Sequence, residues 1–160
     1  MKKFKFTILL ILIILQLKVY ALIEVDITRG NLNPLPIAVS ALYSDKLTTD
    51  ALKKEINIDQ IGNEISLVIE NNLKATGLFN PLEKKAFLQK PDVAHLKPRF
   101  EDWSLIKAQA LITGKVEFRD DRVRVEFRLW DVLAAREMLA LAFTTTPNNW
   151  RRIGHIISDK

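Results

Sequence analysis

Cysteine is absent from the chain. That excludes disulfides, thiolate metal sites, a cysteine nucleophile and a lipid-modified cysteine. Histidine occurs twice, at His95 and His155, and neither has the close His, Asp or Glu spacing that a metal site needs. Ser104 and Ser158 lack the strand–turn–helix elbow of a serine nucleophile. The five glycines never fall in a phosphate-cradling pattern. Asp120 and Asp121 are adjacent carboxylates, but they stand between two strand patterns and read as a turn. No catalytic residue, cofactor or metal is expected, and a binding module is preferred to an enzyme.

Long apolar runs are confined to one place. Lys2, Lys3 and Lys5 precede residues 8–15, "ILLILIIL", and the greasy region ends near Leu17. Lys18 and the small-residue site Val19-Tyr20-Ala21 follow. This is the build of a secretory signal peptide cleaved after Ala21. An uncleaved anchor is the alternative, but a bilayer core takes roughly 20 apolar residues of helix. Removing 1–21 also removes the chain's basic excess. Four of the 24 Lys+Arg lie there with no acid, which leaves 20 bases against 19 acids. The remaining charge, near +1, gives no support for nucleic-acid binding. A periplasmic location follows, and an exported domain without disulfides must rest on its core.

Residues 22–35 form a segment of their own. Ile23, Val25 and Ile27 alternate with Glu24, Asp26 and Thr28 in a strand pattern, with Leu22 before and Arg29 after. Gly30, Asn31, Asn33, Pro34 and Pro36 then break the pattern and supply a hinge. Residues 36–160 read as one α/β domain. An apolar strand is expected over 36–43, followed by a long polar segment over 44–56. Asn57 and Gln60 are spaced as a capping box opening a helix over 57–76. Ile61, Ile65, Val68, Ile69 and Leu73 form its apolar stripe, and Glu70 and Lys74 can pair on its outer face. Gly77 and Pro81 end it. Residues 78–82 suit an edge strand, 83–100 a surface loop, and 101–108 a short helix with Trp103 and Ile106 on one face.

The second half is strand-rich: 110–118, 123–130 and 136–145. Val123, Val125, Phe127 and Leu129 face one way, and Arg124, Glu126, Arg128 and Trp130 the other. Trp130, an aromatic on the outward parity, and its neighbour Arg128 are candidates for a secondary contact. Thr146 caps a last helix with Pro147 at its first position and Trp150, Ile153 and Ile157 as its inner stripe. The expected fold is a small mixed β-sheet covered by two main helices. No C-cap for the last helix is in sight, which suggests a domain cut from something longer.

Five segments occur in order: "IEVDITRGNLNPLPIAV", "LKATGLFNPL", "DWSLIKAQALITGKVEF", "RLWDVLAARE" and "NNWRRIGHIISDK". Together they resemble the N-terminal α/β domain of the TolB family, periplasmic components of the Tol–Pal system of Gram-negative bacteria. The resemblance implies a role in outer-membrane integrity, cell division and protein import. It implies that residues Leu22, Ile23, Glu24, Val25, Asp26, Ile27, Thr28, Arg29 and Gly30 are offered to TolA, an inner-membrane protein. The family continues into a β-propeller that carries most of the contact with Pal, so Pal binding by this chain is expected to be weak or absent. A monomer without nucleic acid or cofactor is expected. Two other readings stay open: a small secreted enzyme or ligand-binding domain, and an interaction domain anchored in the inner membrane.

Overall fold

The computed structural model describes residues 33–44, 58–119 and 122–160. The proposed signal peptide, residues 22–32, the Asn57 cap, most of the polar segment 44–56 and the Asp120–Asp121 turn lie outside the described residues.

A mixed six-stranded sheet forms the middle layer, in the order β3-β1-β4-β5-β6 with β2 also on β4. Its strands are β1 (Leu35–Val39), β2 (Tyr43–Ser44), β3 (Phe79–Pro81), β4 (Ala110–Arg119), β5 (Arg122–Asp131) and β6 (Arg136–Thr145). β1 runs parallel to β3 and β4, whereas β4, β5 and β6 form an antiparallel meander. Pro36 sits in β1 before the β4 ladder begins at Ile37, so its missing N–H breaks no rung there. Pro81 lies in the edge strand β3, as expected.

The expected strand over 36–43 is interrupted at residues 40–42. Leu42 turns inward, 3% exposed, and its N–H donates to the Gly62 carbonyl at 3.3 Å. Gly62 permits that approach: a Cβ there would stand 2.4 Å from the Leu42 carbonyl oxygen.

Helix α1 (Ile58–Ala75) covers one face of the sheet beside α4 (Trp150–Ser158). Its expected stripe is buried: Ile61, Ile65, Val68, Ile69 and Leu73 all face inward. Gly77, at φ 71°, follows its end. Ile153 and Ile157 of α4 join the same cluster, with Trp150 packed against it. Pro147 opens a 3-10 turn (Pro147–Asn149) rather than α4 itself, and the Thr146 side chain makes no capping bond. Gly154 lets the two helices close, since a Cβ there would lie 2.8 Å from Val68 Cγ1.

The opposite face is also covered, which the sequence reading did not foresee. Residues 83–100, expected as a surface loop, contain a 3-10 turn (Lys84–Ala86) and helix α2 (Pro91–Ala94). Helix α3 (Phe100–Leu105) follows and stops short of the expected 108, with Lys107 at φ 63°. A second cluster gathers Trp103, Leu111, Trp130 and Val132, with Phe87, Phe100 and Ile106 packed against it. Gln89, 4% exposed, stitches this layer together. Its Oε1 accepts from the Arg99 N–H and from Trp103 Nε1, each at 3.0 Å. Its Nε2 donates to the Lys97 carbonyl at 3.3 Å.

Candidate functional site

The polar side chains that could carry chemistry are occupied with structural work. Asn72 Nδ2 of α1 donates to His155 Nδ1 at 2.9 Å and to Ser158 Oγ at 3.1 Å, tying α1 to α4. Ser158 Oγ in turn donates to the Gly154 carbonyl. His95 stacks on Tyr43 with ring centroids 4.4 Å apart, and its Nδ1 lies 3.1 Å from the Pro91 carbonyl oxygen. Lys84 Nζ lies 3.0 Å from Glu70 Oε1 and donates to Ser66 Oγ at 2.8 Å. Glu70 thus pairs with Lys84 rather than Lys74, because the 3-10 turn after β3 rests against α1. Among the described residues, no group of three His, Asp or Glu could hold a metal ion.

Among the described residues, two concavities bear on the search for a site. The larger, about 490 Å³, opens where β1 begins and α1 and α4 end. Leu35, Ile37, Phe79, Phe127, Leu129 and Met138 are among its walls, so it is mainly apolar. A small-molecule site would add convergent polar groups aimed at one point. The smaller, about 200 Å³, lies on the opposite side of the sheet between His95, Leu96, Lys115, Glu126 and Arg128.

The two secondary-contact candidates part company here. Arg128 is half-exposed, 3.3 Å from Glu137 Oε2 and 6.0 Å from the centre of the Trp130 ring. Trp130 is 8% exposed and is not a free surface. Its parity was read correctly, but the face it points to is covered by α3: Phe100 meets its ring edge-on at 5.8 Å. Its Nε1 donates to Thr113 Oγ1 at 2.8 Å, and Thr113 is itself buried. Trp130 therefore anchors the second cluster. Residues 22–30, the main partner-binding candidate, and the Ala21 cleavage site lie outside the described residues.

The sequence reading missed the open edge at β6. This strand is hydrogen-bonded to β5 on one side and has no sheet neighbour on the other among the described residues. Met138 is 57% exposed and Leu141 37%. The signal was present, since "MLALAF" is an uncharged apolar run at the end of a strand series.

Comparison with known proteins agrees with this frame. The family model described as the TolB amino-terminal domain matches residues 23–138. The Tol-Pal system protein TolB of Pelagibacter ubique (strain HTCC1062) is 67% identical over 151 residues, 94% of this chain. The chain spans 34% of that relative's length. Among solved structures, TolB from Acinetobacter baumannii superposes with a TM-score of 0.60 at 19% identity, over 79% of this chain and 27% of that one. The LpoB C-terminal domain from Escherichia coli shares the fold more loosely, with a TM-score of 0.50 at 11% identity over 73% of this chain and 86% of its own. The chain belongs to the TolB amino-terminal domain family.

Proposed function

We propose that the chain is a protein-interaction module of the Tol–Pal envelope system, working in the periplasm after cleavage at Ala21. The observation that carries the reading is the 67% identity to a Tol–Pal TolB over nearly the whole chain. The family match also begins at residue 23, just past the expected cleavage position. In this reading residues 22–30 are offered to a TolA-like inner-membrane protein. Ile23, Val25 and Ile27 anchor one face, and the backbone adds a strand to the partner's sheet edge. The Gly, Asn and Pro residues that follow keep the segment separable from β1.

Ordering a free terminus costs roughly 1–2 kcal/mol per residue for the backbone, so affinity in the micromolar range or weaker is expected. Titration calorimetry of the TolA C-terminal domain tests the proposal. Deleting 22–33 should abolish binding and leave the melting temperature nearly unchanged. Val25→Pro should weaken binding far more than Val25→Ala, because it removes a backbone N–H and fixes φ. A deletion variant that binds as well as the parent chain would sink the proposal.

A further inference from the structure

The smaller cavity, about 200 Å³, is walled by charges of both signs: Lys115, Arg128 and Glu126. Three of its polar walls are each held by one atom from outside the cavity and keep another without a partner among the described residues. His95 stacks on Tyr43, and its Nδ1 lies 3.1 Å from the Pro91 carbonyl oxygen. A carbonyl only accepts, so Nδ1 carries the hydrogen, and Nε2 of the neutral ring is an open acceptor. Glu126 accepts both bonds from Arg124, at 3.0 and 2.7 Å, on Oε1 alone, which leaves Oε2 as a second acceptor. Arg128 donates only from Nη1, to Glu137 at 3.3 Å. Its Nε and Nη2 are the parallel pair that grips a carboxylate side-on. The two arginines share a face of β5, four residues apart. Arg124 closes this fork on Glu126, whereas Arg128 keeps the same fork unfilled among the described residues.

We propose that this cavity binds a small free α-amino acid as its zwitterion. The carboxylate takes the Arg128 fork, and Lys115 on the neighbouring strand adds positive charge beside it. The ammonium donates to Glu126 Oε2 and His95 Nε2, and a short apolar side chain lies against Leu96. The pairing of donors with acceptors selects this class. A phosphate or other simple anion would set its charge against the Glu126 carboxylate and the His95 lone pair. A simple amine would leave the arginine fork unused. At about 200 Å³ the cavity falls below the roughly 300–1,000 Å³ of drug-sized ligand pockets, so the ligand is small. With roughly six to eight non-hydrogen atoms, it should bind with a dissociation constant on the order of 1 mM. The site does not involve residues 22–30 and stands independently of strand addition to a partner.

Heteronuclear NMR titration of the isotope-labelled chain tests this through the Gly114 amide and the Arg128 Nε–H. L-Alanine should give saturable shifts at both. Acetate and ethylammonium, which carry its two charges separately, should each bind at least about tenfold more weakly. Arg128→Lys keeps the charge and loses the fork, so it should weaken alanine binding at least about tenfold. Glu126→Gln should do the same. Neither variant should move the melting temperature much, since both ion pairs are partly exposed. Deletion of 22–33 should leave alanine binding intact. The absence of saturable shifts with glycine, L-alanine or L-valine up to about 50 mM overturns the proposal. So does acetate that binds as tightly as L-alanine, which would make the cavity a plain anion site, or an Arg128→Lys chain that binds alanine undiminished.

Discussion

The two faces of the sheet are built on different principles. Under α1 and α4 the core is apolar and continuous: Ile65 and Ile69 from α1, Val116, Phe118, Val123, Val125 and Phe127 from the sheet, Ile157 from α4. The side chains of that cluster are apolar, and volume decides its stability, while Asn72, His155 and Ser158 tie α1 to α4 at its margin. On the other face the buried residues include two tryptophans, three alanines, a leucine, a valine and one glutamine that holds three partners. That layer is made of elements too short to bury a stripe, so it is fixed by polar geometry. One face tolerates substitutions that conserve volume; the other tolerates few that lose a donor or acceptor.

The contrast can be broken from either side. Ile65→Asp should have the largest effect. Ile65 is fully buried, and an unpaired carboxylate there should cost about 4 kcal/mol or more. A melt left unchanged by the substitution would mean that this face is not a closed apolar core.

Gln89→Leu should come next, at about 2–3 kcal/mol, because the buried Trp103 Nε1–H and the partly buried Arg99 N–H lose their acceptor. Its sharper form is a double-mutant cycle with Trp103→Phe. If polar geometry is what the layer depends on, the pair should cost clearly less than the sum of the singles. Additive costs would reduce Gln89 to a space-filling residue. Smallest should be Arg128→Ala, within about 0.5 kcal/mol, since its pairing with Glu137 is solvent-exposed. A larger loss would show that Arg128 holds the second layer through the Trp130 ring.

The same contrast explains what could be read from the sequence. The stripe from Ile61 to Leu73 and the alternation from Val123 to Leu129 have periods matching their elements, and the structure buries them as expected. Phe87, Gln89 and Ala94 have no period, because each sits on a different turn of chain, and the helix that carries Phe100 and Trp103 is only six residues long. Their layer was invisible for that reason, and Trp130 was read as outward-facing because its cover was unseen. Of the candidate site, residues 22–30 carry an alternation in the sequence and lie outside the described residues, while the β6 edge required the strand order.

The position of β1 carries a consequence for the order of assembly. Ile37 pairs with Ala110, some seventy residues downstream, whereas Phe118 and Val123 at the other end of the same sheet are hairpin neighbours. Closing the long loop costs more chain entropy than closing the hairpin. The β4–β6 meander should therefore form first, and β1 should enter between β3 and β4 afterwards. If the chain is exported as proposed, β1 would leave the secretion channel ahead of its partners β3 and β4 and be among the last strands to pair. Pulse-labelled hydrogen exchange during refolding should protect Val125 ahead of Val39, and the reverse order would place the nucleus at β1. Under the proposed export, residues 35–39 would stay unpaired for as long as β4 takes to arrive, a window in which the nascent edge is open to other strands.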